Sequence, residues 1–255
     1  MRSLEKHLRA VRDVGHKALV PYIVAGTDAV WLDYVRAAAF AGATAIEIGI
    51  PFSDPMMDGV IIQEASDRAL RAGTTFTGIL QDLSHLDIEI PILVMTYYNI
   101  FHHHGIERAA SDLASVGVTG AIVPDLSLEE VDEWQSVVNR ADIATVLMIA
   151  PSTPSDRVPQ VVSRSQGFAY AQGRMSVTGL SSDEGRGGDV VDAIRSVSDI
   201  PVYIGVGIST AAQASAAAAT SDGVIVGSAL VQRVLNGDGA LGVENFVSEL
   251  RRAIA

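Results

Sequence analysis

The sequence contains no cysteine, which excludes disulfides, thiolate zinc or iron–sulfur sites, and a cysteine nucleophile. Lysine is nearly absent too: Lys6 and Lys17 are the only two in 255 residues. Both precede the first expected strand, on the wrong side of an α/β domain for a Schiff base or a pyridoxal-phosphate linkage. Positive charge is scarce overall. With 18 Lys+Arg against 30 Asp+Glu the net charge is −12, the wrong sign for a chain that tracks nucleic acid or an anionic membrane. The opening MRSLEKHLRAVRDVG interleaves charged and apolar residues at helical spacing. With no continuous apolar block it is neither a signal peptide nor a membrane anchor. A soluble, cytoplasmic protein is expected.

Apolar residues, at 48%, are what the chain has in plenty, and they come in short Val- and Ile-rich runs. Strands are expected near 19–24, 45–50, 91–96, 119–124, 144–149, 167–171, 201–206 and 222–227. Amphipathic stretches of helical period lie between them, for example 29–41, 106–115, 128–139, 155–165 and 187–197. Runs apolar on both faces suit a parallel sheet buried on both sides. Eight such units in about 250 residues match the size and rhythm of a (β/α)8 TIM barrel. An open doubly wound sheet is the alternative, but no GxGxxG follows the first strand. No linker divides the chain, so a single domain over 1–255 is expected, with an N-terminal helix at about 1–14. The second interval is twice as long as the others and carries an inserted loop and helix at about 51–72, the kind of insertion that usually serves function.

Glu47 is the most informative residue. In Ala45-Ile46-Glu47-Ile48-Gly49-Ile50, alternation puts the isoleucines on one face and Glu47 on the other. The bulky face packs on helices, so Glu47 points into the barrel near the carboxyl end of its strand, where active sites of this fold gather. A buried carboxylate tends to have a raised pKa, useful for proton transfer. A structural Glu paired with a polar neighbour is the other reading. Asp58, in the inserted loop, can face Glu47 across a pocket, and two carboxylates in unlike environments can divide acid and base roles. Asp54, before Pro55, reads as a turn former.

Late in the chain, Gly179, Gly207 and Gly227-Ser228 follow the last three strands. Glycines there bare main-chain N–H groups to an anion, and a helix starting after Gly227 adds its positive end. A phosphorylated small molecule is the expected ligand. His102, His103 and His104 invite a metal reading, but consecutive residues in a strand-following loop seldom converge on one ion. No metal is expected.

The segment Glu47-Ile48-Gly49-Ile50-Pro51-Phe52-Ser53-Asp54-Pro55, with Asp58-Gly59 and Gln63, resembles the signature of the tryptophan synthase α subunit family. Pro21-Tyr22, Met95-Thr96-Tyr97-Tyr98-Asn99, Val123-Pro124-Asp125-Leu126, Val177-Thr178-Gly179, Gly205-Val206-Gly207 and Val226-Gly227-Ser228 extend the likeness over nearly the whole chain. The resemblance implies a (β/α)8 barrel that cleaves indole-3-glycerol phosphate to indole and glyceraldehyde 3-phosphate without cofactor. It implies Glu47 as the general acid–base and Asp58 as the group holding the indole N–H, with Tyr170 close by. Gly179, Gly207, Gly227 and Ser228 would bind phosphate, and Tyr22, Tyr97, Leu126 and Val206 would line the indole pocket. It also implies a pyridoxal-phosphate β subunit as partner in an α2β2 heterotetramer, facing the 52–60 and 177–190 loops.

The chain departs from the family pattern at Gly26-Thr27-Asp28, Asn99-Ile100-Phe101, Val60, Ser176 and the 180–188 loop. The catalytic pair and the phosphate glycines are intact, so these departures bear on coupling to the partner rather than on chemistry. Three readings follow: the lyase as α subunit, a free-standing lyase releasing indole, or a weakly active subunit that docks to and regulates a β subunit.

Overall fold

In the computed structural model, which describes residues 2–173, 186–205 and 207–255, parallel strands close into a barrel in chain order. They are β1 (Ala18–Val24), β2 (Ile46–Gly49), β3 (Ile92–Met95), β4 (Val118–Ile122), β5 (Ala144–Ile149), β6 (Ala169–Gln172), β7 (Val202–Gly205) and β8 (Gly223–Val226). Pairing of Ala18 through Pro21 with Gly223 through Val226 joins the last strand to the first. That closure makes a (β/α)8 barrel and excludes the open sheet.

The helices are α1 (Ser3–Asp13), α2 (Trp31–Phe40), α3 (Val60–Arg71), α4 (Phe76–Leu83), α5 (Tyr98–His104) and α6 (Ile106–Ser115), then α7 (Val131–Val138), α8 (Val158–Arg164), α9 (Arg186–Arg195), α10 (Ala211–Thr220), α11 (Ser228–Leu235) and α12 (Gly239–Ala253). The long second interval thus holds a loop and two helices, α3 and α4.

Alternation along the strands sorts the core into two layers. Ile46 and Ile48 of β2 point outward into the layer shared with the helices. Ala45, Leu93, Val146, Tyr203 and Ile225 fill the interior together with Leu4 and Leu8 of α1. The α1 helix therefore lies across the N-terminal end of the barrel as a plug. Lys17 is at this closed end, where its Nζ donates to the Ser221 carbonyl at 2.7 Å.

The histidine run corrects one expectation. His102, His103 and His104 form the last turn of α5, not a loop. The helix is fixed at its start and its middle: Asp125 Oδ1 accepts from the Tyr98 N–H at 2.9 Å, and Phe101 stacks on buried Trp134 at 4.9 Å. His104 packs edge-on to Phe76, and its Nε2 lies 2.8 Å from Asp112, a structural use of the ring. Gly179, Val206 and most of the 177–190 segment lie outside the described residues.

Candidate active site

β1 and β2 pair with Tyr22 opposite Glu47, so both side chains enter the barrel at one level near its C-terminal end. Glu47 is 1% exposed, and its Oε2 has no hydrogen-bond partner among the described residues. Burial, and secondarily the charge of Asp58, raises its pKa from 4.5 to about 8. At neutral pH the group therefore carries a proton.

Asp58 reaches the same cavity from the loop between β2 and α3. Its N–H donates to the Pro55 carbonyl at 3.0 Å, and Gln63 Nε2 donates to its carbonyl at 2.8 Å. Burial raises the Asp58 pKa to about 6 while a hydrogen bond from Tyr97 pulls it back. It is thus ionised at neutral pH. The two acids differ because Glu47 is the more deeply buried and also feels the charge of Asp58, while Asp58 accepts a hydrogen bond from Tyr97. Asp54 is exposed and accepts from Ser53 Oγ at 2.6 Å, in keeping with a turn.

Two phenols stand beside Glu47, and each needs a glycine. Tyr22 pairs with Glu47, and its ring rises over Gly49, two residues further along β2, where a Cβ would overlap the phenol oxygen. Tyr170 pairs with Tyr203 and rises in the same way over Gly205, two residues further along β7. Burial, joined by the charges of Glu47 and Asp58, raises both phenol pKa values far enough to keep them protonated.

These groups border a cavity of about 760 Å³ whose walls also include Gly207, Gly227 and Ser228. Gly227 is the N-cap of α11, so the first N–H groups of that helix have no partner within it. Ser228 Oγ is buried with no partner among the described residues. Main-chain donors and a helix N-terminus converging on one wall suit an anion.

Several cavity residues lie outside the set expected from sequence. Met95, Met148 and Ile225 form apolar walls, and the inward alternation of their strands was the available signal. Arg233 also borders the cavity, its guanidinium 4.2 Å from the Phe246 ring centre and 3.7 Å from Asp238. Tyr97 and Leu126, expected in the pocket, are not among the residues that line this cavity. Tyr97 lies behind Asp58, and Leu126 packs against the barrel–helix layer.

The family model for the tryptophan synthase alpha chain matches residues 8–252. The chain belongs to the tryptophan synthase alpha chain family. The tryptophan synthase alpha chain of Streptomyces coelicolor is 40% identical over 250 residues, covering 96% of this chain and 92% of its own. That of Microcystis aeruginosa is 36% identical over 263 residues, with both chains fully covered. Among solved structures, Mycobacterium tuberculosis tryptophan synthase superposes with a TM-score of 0.92 at 33% identity, over 99% of this chain and 98% of that one. The alpha subunit from Legionella pneumophila gives 0.90 at 27% identity, over 100% and 98%. Tryptophan synthase alpha chains are lyases of tryptophan biosynthesis and pair with a β subunit. Among the described residues no helix is long and apolar enough to cross a membrane.

Proposed function

We propose that this chain is a cytoplasmic, cofactor-independent lyase that cleaves indole-3-glycerol phosphate to indole and glyceraldehyde 3-phosphate. Glu47, protonated at neutral pH, donates its proton to the ring carbon bearing the glycerol chain. The positive charge that develops on the ring nitrogen is met by the Asp58 carboxylate, which accepts the indole N–H. The carbon–carbon bond then breaks and its electron pair restores the aromatic ring. The Glu47 carboxylate takes the proton from the adjacent glycerol hydroxyl, which becomes the aldehyde. Glu47 ends as it began, so no oxidant, reductant or metal enters the balance.

Tyr170 and Tyr22 would pack on the substrate beside Glu47. Gly207, Gly227 and Ser228 would grip the phosphate, together with Gly179, and Val206 would complete the indole pocket. The reading rests chiefly on a buried Glu47 oxygen, unpartnered among the described residues, facing a cavity that also holds an ionised Asp58. The partner is a pyridoxal-phosphate β subunit in an α2β2 heterotetramer. Met56 and Met57 on the loop after β2 and Val60 at the start of α3, apolar and at least half exposed, are the docking surface.

Indole release from indole-3-glycerol phosphate, measured with and without a β subunit, tests the reading. Strong mutual activation is expected; fast turnover by the solitary chain would point to a free-standing lyase, and tight docking without turnover to a regulatory subunit. The kcat/KM profile should fall below about pH 6, as Asp58 gains a proton, and above about pH 8, as Glu47 loses one.

A further inference from the structure

We propose that Tyr97 is a positioning residue that orients Asp58 and fastens its loop, rather than a wall of the indole pocket. The inference rests on the lyase reading for its kinetic consequences but not for its geometry. Tyr97 occupies the N-cap of α5 and is 3% exposed. Its hydroxyl donates to Asp58 Oδ2 at 3.0 Å and accepts from the Met57 N–H at 2.8 Å. Its ring stacks on Phe52, with centres 5.0 Å apart and planes 25° apart. One side chain on a rigid helix therefore grips the 52–58 loop at its start, at its end and at the carboxylate itself.

This arrangement fixes more than conformation. Tyr97 occupies Asp58 Oδ2, and among the described residues no donor takes Oδ1, which is thus the oxygen turned to a ligand donor. The bond is charge-assisted, because Asp58 is ionised at neutral pH and a phenol as buried as Tyr97 keeps its proton. The titratable groups around it are Glu47 from β2, Tyr22 from β1, Tyr170 from β6 and Asp125 from the loop after β4. Among the described residues the groups around Asp58 bring no cation, so the Tyr97 hydroxyl is what offsets its burial.

The test is Tyr97→Phe, which keeps the ring and its stacking on Phe52 and removes only the hydroxyl. Asp58 should then gain its proton at higher pH, so the acid limb of kcat/KM moves upward while the alkaline limb, set by Glu47, stays near 8. At pH 7, kcat should drop about tenfold to a hundredfold with KM changed less than about threefold, as expected when a hydrogen bond to a charged group is lost. The substrate phosphate also titrates near 6, but its pKa does not depend on the variant, so only a moving limb belongs to Asp58. An unmoved limb with wild-type kcat would overturn the inference. If the wild-type chain shows no turnover, the lyase reading fails separately. Titration of the 13C-labelled Asp58 carboxyl by NMR then decides: equal pKa values in wild type and Tyr97→Phe would refute the clamp, and a higher value in the variant supports it. Tyr97→Leu, which also removes the stacking on Phe52, should raise proteolytic nicking of the 52–58 loop. Resistance equal to wild type would also count against the clamp.

Discussion

The two ends of the barrel are built on opposite principles. At the N-terminal end, Leu4 and Leu8 of α1 are fully buried among Ala18, Leu93, Ala144 and Phe168. At the C-terminal end, the same interior gives way to Glu47, Asp58 and Ser228, and two of these carry buried polar atoms with no partner among the described residues. Such atoms cost free energy in an unliganded fold. One end therefore supplies stability, and the other spends some of it to present groups a ligand can satisfy. Substitutions should separate the two ends cleanly.

The largest effect is expected at the open end. Glu47→Gln replaces a proton carrier with a near-isostere and should lower kcat about 10²–10⁴-fold with the fold intact. A variant retaining more than about a tenth of wild-type turnover would remove Glu47 from the proton transfer.

That residue also shows how much was legible in the sequence. Alternation in Ala45 to Ile50 turned Glu47 inward because three isoleucines claim the outer face, and the structure buries them there. The strands were legible for the same reason: each is a short apolar run between turn signals. The α10 helix offered no such period, since AAQASAAAAT is nearly uniform. The α5 helix was read as a loop because its packing partners, Trp134 and Asp125, lie far along the chain. Tyr97 was placed with the pocket for a similar reason: sequence shows a tyrosine at a strand end, not the Asp58 carboxylate that its hydroxyl meets across the loop. Leu126 follows the same pattern, an apolar residue near the right strand end whose side chain packs against the layer shared by barrel and helices.

The closed end should answer in stability alone. Leu8→Ala deletes a side chain that is 1% exposed and should destabilise the protein by about 2–5 kcal/mol, the range for buried leucines. Turnover per folded molecule should stay at the wild-type level. Denaturant melts and an active-site titration measure both. Loss of turnover without loss of stability would mean that the plug reaches the chemistry.

Glu47→Gln should also gain stability, which is the sharper form of the contrast. A carboxyl raised from 4.5 to about 8 in the folded state favours folding less and less as pH rises between those values, because the folded state holds a proton that the unfolded chain has released. The loss is complete above about pH 8. By linkage it amounts to roughly 4–5 kcal/mol, of which a glutamine recovers only part because its buried amide also needs partners. The variant should match wild type near pH 4 and exceed it by roughly 1–3 kcal/mol at pH 8–9. Parallel melting curves across that range would mean that Glu47 is ionised without cost, contrary to its burial.

The smallest effect is expected where the closed end meets solvent. Asp199 joins Arg9 and Arg12 of α1 at 2.8 and 3.1 Å, a geometry that looks like a fastening of the plug. Its side chain is 84% exposed, and exposed ion pairs contribute about 0–1 kcal/mol. The Asp199 main-chain carbonyl accepts from the same two arginines at 3.0 and 2.8 Å, and those bonds survive truncation of the side chain. Asp199→Ala should therefore shift stability by less than about 1 kcal/mol, with the difference vanishing in high salt. A loss as large as that of Leu8→Ala would place the plug's stability in its charges rather than in the two leucines beneath them.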